Sequence, residues 1–208
     1  MKETAHTEES EKWKRLSKKC SWLLRHGALQ EGLSMDTAGW VDRSSLQTHL
    51  ALTAEELNTI ITHNDKTRFE VCENKIRASQ GHSLATMPVT IEALEQSWSI
   101  YAGEDSIWHG TNRRAIVSIE KEGILAGDRT HVHLASSLQS HVGKRDSVSI
   151  LVEVSCSKLR QEGFEVFISP NGVVLTRFVP VSCFVGTRMA SAKKHRQLLR
   201  KQEHKPKP

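Results

Sequence analysis

The sequence predicts an α+β fold in two lobes, and three observations lead there. Apolar residues recur at helical spacing through the first sixty positions. They switch to strict alternation at 68–79. From about residue 106 onward, short alternating runs separated by turn residues dominate, with one good helix among them.

The first helix begins at Trp13, where Trp13, Leu16, Cys20, Leu23 and Leu24 form one stripe, and residues 1–11 read as a disordered polar end. Gly27 is placed to end that helix in the left-handed conformation, leaving Arg25 and His26 in its last turn. Asp36-Thr-Ala-Gly39 is a turn and Trp40-Val41 opens a strand. Ser44 or Ser45 is suited to cap a brief helix carrying Leu46 and Leu50. Thr53-Ala-Glu-Glu56 has capping-box spacing and opens a helix with Leu57, Ile60 and Ile61 inward. Arg68–Cys72 and Lys75–Ser79 alternate across Glu73-Asn74 as a hairpin. Three helices and then a hairpin is the order of a winged helix, a module often used on nucleic acids.

Residues 84–105 read as a linker. Beyond it, Ile107–Thr111 is a strand. Asn112 caps a helix over Arg114–Glu122 that Gly123 stops, and strands follow at 131–134, 147–154, 164–168, 172–176 and 179–185, with Ser169-Pro-Asn-Gly172 as a hairpin turn. The expected organisation is 12–83, 84–105, 106–188 and a basic tail, 189–208.

Charge and composition narrow the function. The net charge of +5 resides in the tail, where residues 188–208 carry +7, leaving 1–187 at −2. Phosphate binding by the body must therefore come from local clusters. The four cysteines lack any Cys-x-x-Cys pair, which argues against a disulfide framework or structural zinc. No apolar leader or membrane-length run is present, so the expected compartment is the cytoplasm or nucleus, with no membrane partner. No phosphate-binding P-loop, Rossmann glycine fingerprint or Gly-x-Ser-x-Gly elbow occurs.

The chemistry-bearing residues are cations and imidazoles. Arg25, His26 and Arg68 can make one cationic pocket, since guanidinium forks meet two phosphate oxygens at once. Gln80-Gly-His-Ser83 adds polar groups around a glycine. His109-Gly-Thr111 and His131-x-His133 raise the question of metal. The two histidines share a strand face, but no third ligand is evident, and hydrogen bonding to ribose and pyrophosphate fits the set as well.

Taken in order, eight motifs over residues 14–188 resemble the RNA 2′-phosphotransferase family. They are Leu16-Ser-x-x-x-Ser-Trp-x-Leu-Arg-His-Gly27, Gly39-Trp-Val41, Asn64-Asp-Lys-Thr-Arg-Phe69, Ile76-Arg-Ala-Ser-Gln-Gly-His-Ser83, His109-Gly-Thr111, Arg129-Thr-His-Val-His-Leu134, Val142-Gly-Lys-Arg145 and Asn171-Gly-Val-Val-Leu-Thr176. Val174 stands where the family often has Trp.

The resemblance implies a winged-helix-like lobe followed by an ADP-ribosyltransferase-like lobe. It implies Arg25, His26, Arg68 and Arg145 as catalytic residues, and His109, Gly110, Thr111, Arg129, His131 and His133 as NAD-binding residues. Arg77, Gln80, His82 and Ser83 are then expected on the RNA. NAD is the implied co-substrate, no metal is expected, and the implied partner is RNA bearing an internal 2′-phosphate, with tRNA the expected carrier and the enzyme a monomer. Two alternatives stay open: ADP-ribosylation of terminal nucleic-acid phosphates, and a winged-helix nucleic-acid binder without catalysis.

Overall fold

The computed structural model describes residues 2–63, 67–103, 106–140 and 148–190. Helix α1 runs over Lys2–Trp22 and continues as a π-helical segment, Leu23–Gly27. It thus starts well before Trp13: residues 2–11, expected to be disordered, are helical, in keeping with a run rich in Glu and Lys that resists neither propensity nor solvent. Gly27 is not a left-handed cap. The residue after it, Ala28, is still right-handed at φ −58°, and left-handed backbone is first reached at Gly32. What demands a glycine at 27 is Trp22, because a Cβ there would lie 2.5 Å from two atoms of the indole.

Strand β1 (Val41–Asp42) leads into α2 (Arg43–Leu50), which begins one residue ahead of the serines and has no side-chain cap. Helix α3 (Ala54–Thr62) has the expected capping box: the Glu56 amide donates to Thr53 Oγ1 and the Thr53 amide to Glu56 Oε2, both at 3.1 Å. Strands β2 (Phe69–Cys72) and β3 (Lys75–Ala78) form the hairpin, and β1 joins it to give the order β1-β3-β2.

Residues 84–105 are more than a connection. They contain α4 (Ile91–Gln96), capped by Thr90, and β4 (Ser99–Ile100). Then come β5 (Ser106–Thr111), α5 (Ile116–Glu122), β6 (Ile124–Leu125), β7 (Val132–Ala135), β8 (Ile150–Ser155), α6 (Cys156–Gln161), β9 (Phe167–Ile168), β10 (Val173–Thr176), β11 (Phe178–Val179) and β12 (Phe184–Met189). Asn112 Oδ1 accepts from the Arg114 and Ala115 amides at 3.0 Å ahead of α5, and Gly123 ends that helix at φ 83°. Helix α6 was not expected; Ser155 caps it by accepting from the Lys158 amide. The run 179–185 is not one strand: Pro180, with no amide to give a ladder, precedes a 3-10 turn that separates β11 from β12.

A seven-stranded antiparallel sheet, β12-β8-β5-β7-β10-β9-β4, organises the C-terminal half, and β11-β6 forms a small ribbon beside it. The core does not stop at the linker. One buried cluster joins Leu23, Leu24, Leu46, Leu57 and Ile76 to Trp98, Phe167, Val173 and Leu175. Residues 79–84 tie the two halves by backbone bonds. The Ser83 amide donates to Arg25 O at 2.9 Å, the Thr130 amide to His82 O at 3.1 Å, and the Leu84 amide to Asp128 O at 3.2 Å. Trp98 Nε1 donates to Ser79 O at 3.1 Å. No helix among the described residues is long and apolar enough to cross a membrane.

Candidate active site

A cavity of about 480 Å³ opens where the halves meet. Its lining brings together Arg25, Arg68, Gln80, His109, Gly110, Thr111, Arg129, His131 and His133, ten of the fourteen positions singled out from the sequence being accounted for by these and the adjacent His26. The π-helical segment delivers Arg25 and His26, the approach to β2 delivers Arg68, and the adjacent strands β5 and β7 deliver His109 and His133. Arg145 lies outside the described residues, as does the Asn64-Asp-Lys66 portion of its motif and the tail beyond residue 190.

The cations are close enough to act on one another. Burial first, then the charges of Arg129 and Arg68, pull the Arg25 guanidinium down to about 10, so it remains charged at neutral pH. Burial, then Arg129 and Arg25, also lower His26 and hold His133 well below the ordinary histidine value. Such crowding of like charge is unfavourable by itself and is relieved by an anion. Arg129, expected only to touch a nucleotide, is thus electrostatically part of the same cluster as Arg25. Glu122 is the one carboxylate in the lining among the described residues.

Hydrogen bonds fix several tautomers. His109 Nδ1 donates to the His133 carbonyl at 3.1 Å, which leaves Nε2 of the neutral ring with the lone pair. His133 Nε2 is 2.8 Å from Gln80 Oε1 and donates to it. His26 Nδ1 lies 2.7 Å from Ser83 Oγ, so Ser83 orients the imidazole while its own amide anchors to Arg25 O. Two glycines are required by close approach. A Cβ at Gly110 would sit 2.6 Å from Val148 Cγ2, and Gly81, at φ 91°, turns the chain past Arg25 and His133.

Two residues expected on RNA sit elsewhere. Arg77 is 3% exposed. It donates to Glu70 Oε2 at 3.1 and 2.7 Å and to Ala38 O at 3.2 Å, and lies over the Trp40 ring. Its β3 position is directly opposite Glu70 on β2, so a cross-strand ion pair occupies the guanidinium. His82 is fully buried, and neither ring nitrogen has a hydrogen-bond partner among the described residues. Gly39, at φ 85°, makes room for it: a Cβ there would be 2.9 Å from His82 Nε2.

Burial, then Arg25 and Arg77, push His82 down to about 3. Below about 6.5, the unfolded chain therefore takes up a proton at His82 that the folded chain refuses. Its contribution to stability is complete above that pH and declines as pH falls toward about 3. Urea unfolding at pH 7 and pH 5 should show a loss of about 2 kcal/mol from this residue, and His82→Gln should remove it. An unchanged pH difference in the variant would contradict the assignment.

Sequence reasoning missed one wall of the cavity and one support. Ala115, Ser118, Ile119, Gly123, Leu125 and Ala126 form an apolar side that no motif announces. Asn171 also lines it, in a turn read only for its backbone. Glu95, from the supposed linker, contacts His131 at 3.0 Å.

Comparison with known proteins bears on this geometry. The family model described as "RNA 2'-phosphotransferase, Tpt1 / KptA family" matches residues 11–178. The chain belongs to this family. It is 34% identical over 175 residues to a probable RNA 2′-phosphotransferase of Burkholderia lata, covering 80% of this chain and 87% of that one. It is 36% identical over 174 residues to a probable RNA 2′-phosphotransferase of Rhizobium johnstonii, covering 80% and 90%. It is 33% identical to tRNA 2′-phosphotransferase 1 of Danio rerio, covering 78% and 77%. The match spans both halves of the fold, and so includes every side chain described above at the cavity.

Proposed function

We propose that this protein is an RNA 2′-phosphotransferase that uses NAD as co-substrate and takes its phosphate from an internal position of RNA, with tRNA as carrier. One observation carries the reading: a single cavity joins the cationic group of Arg25, Arg68 and Arg129, beside His26, to His109, Gly110, Thr111 and an apolar wall. One end suits a phosphate and the other a nucleotide, and about 480 Å³ is within the usual range for a small-molecule site. In this reading the three helices and hairpin of the N-terminal half are a winged-helix-like lobe that grips the RNA phosphate. The sheet of the C-terminal half is an ADP-ribosyltransferase-like lobe that holds NAD.

The chemistry has two steps. A 2′-phosphate oxygen of the RNA attacks C1″ of the nicotinamide ribose, forming a C–O bond as the bond to nicotinamide breaks. The 2″-hydroxyl of the resulting adduct then attacks phosphorus, and the RNA 2′-oxygen leaves with a proton. ADP-ribose 1″,2″-cyclic phosphate and a free 2′-hydroxyl result. Arg25 and Arg68, with Arg145 assigned by its family motif, hold the phosphate and offset charge that builds on it in the second step. His26, steered by Ser83, positions the phosphate or carries the proton.

Incubation with NAD and a 2′-phosphorylated oligoribonucleotide, with identification of products, tests this. Nicotinamide and the cyclic phosphate are expected. A stable ADP-ribosylated oligonucleotide would instead favour an enzyme that stops after the first step, and absence of nicotinamide would favour a binding protein. Arg68→Ala and Arg145→Ala are expected to slow the second step more than the first, since phosphate charge is reorganised mainly there. The adduct should then accumulate in single-turnover assays; equal slowing of both steps, without adduct, would count against the assignment.

A further inference from the structure

The support beneath His131 carries a role of its own. His131 is 1% exposed and lines the cavity. Its Nε2 is 3.0 Å from Glu95 Oε1. A carboxylate only accepts, so Nε2 carries the proton. In the neutral ring Nδ1 is then a bare acceptor, and it is buried with no partner among the described residues. Burial first, only partly opposed by Glu95, lowers His131, which keeps the ring neutral.

Glu95 is itself fixed. Arg177 donates to Oε1 from Nε at 2.7 Å and to Oε2 from Nη2 at 2.6 Å, and Glu95 is 9% exposed. Trp98 meets the imidazole edge-on at 5.0 Å and Phe167 at 6.4 Å, so the ring has little freedom to turn. A buried acceptor with no donor is costly, at roughly 1–3 kcal/mol, unless something completes it. A purely structural histidine in this apolar setting would need only one partner nitrogen if the other were methyl-like, and it is not.

We infer that Glu95 is a positioning residue, holding His131 in the Nε2–H tautomer so that Nδ1 accepts a hydrogen bond from a ribose hydroxyl of the nucleotide bound in the cavity. The inference rests on the nucleotide reading above and adds to it a residue of α4, in a stretch that sequence alone presents as a connection. Arg177 acts one step further out, by keeping both carboxylate oxygens aligned.

The test uses the full chain labelled with ¹⁵N-histidine, His131 being assigned by His131→Asn. Long-range proton–nitrogen spectra should show His131 protonated at Nε2, and saturating NAD alone should shift its Nδ1 resonance. Kinetically, Glu95→Ala should raise KM for NAD about 5- to 10-fold, the value of one lost hydrogen bond, with KM for the 2′-phosphorylated RNA unchanged. Glu95→Gln, whose amide oxygen accepts from the same Nε2–H, should restore most of the loss. An Nδ1–H tautomer, or an Nδ1 resonance indifferent to NAD, overturns the inference whether or not the variants fold. If the wild type turns over while Glu95→Ala keeps a normal KM for NAD, the inference fails and the functional reading stands. If the wild type releases no nicotinamide, the functional reading fails, and the NAD titration of His131 still decides the inference.

Discussion

Arg25→Ala should reduce kcat/KM for a 2′-phosphorylated RNA by about a thousandfold, the upper range for losing one preorganised donor to a charged transition state. Arg25 is the residue on which burial and the charges of Arg129 and Arg68 converge, and the cavity reaches it. Its removal takes away both a fork of donors and the charge that makes the site an anion trap. Arg25→Lys is the more discriminating variant. Lysine starts about two units below arginine, and the same burial and the same neighbours would lower it further. A growing share of the lysine is then neutral as pH rises through the mildly alkaline range, whereas the arginine, at about 10, stays largely charged. The ratio of variant to wild-type activity should fall between about pH 7 and 9. Parallel pH–rate profiles would show that charge at position 25 is not what the reaction uses.

Gly123→Ala should be the costliest small substitution for stability, at about 3 kcal/mol. Gly123 sits at φ 83°, ψ −173°, backbone that only glycine adopts readily. A Cβ there would collide with the Val179 carbonyl oxygen and lie 2.8 Å from Phe178 Cζ. The carbonyl cannot retreat cheaply, because Val179 pairs with Ile124 in the ribbon. Gly127 is the control: at φ 64° it is also left-handed, but nothing lies within 4 Å of its Cβ position. Thermal and urea unfolding should show Gly127→Ala costing about 1 kcal/mol and Gly123→Ala several times that. Equal losses would mean that backbone strain alone, not the collision, sets the penalty. Because Gly123 also lines the cavity, the variant should lose nucleotide affinity even where it remains folded.

What was legible in the sequence was mostly local. Thr53 and Glu56, Asn112 and Gly123, and Ser169 through Gly172 each act on backbone within a few residues, and each does what its spacing implies. The cluster of Arg25, Arg68 and His109 was legible through the order of motifs. Less local matters were not. Helix α4 has six residues and β4 two, too short for a period to declare itself, and both are held by a core drawn from distant strands. Arg77 and His82 are polar residues whose burial follows from Glu70, Trp40 and Gly39 being brought to them by the hairpin. Glu95 gave no local sign of its partner, thirty-six positions further along. Gly27 looked like a stop because glycine so often is one; the indole of Trp22 is the stronger claim on it.

That same stretch has a geometric consequence. An α-helix advances about 100° per residue around its axis. The five residues Leu23–Gly27 wind more loosely, with each turn holding an additional amino acid. Arg25 and His26 therefore point along bearings that an uninterrupted α-helix continuing from Trp22 would not supply. Grafting their letters onto a regular helical scaffold would reproduce the pair's spelling and misdirect its aim.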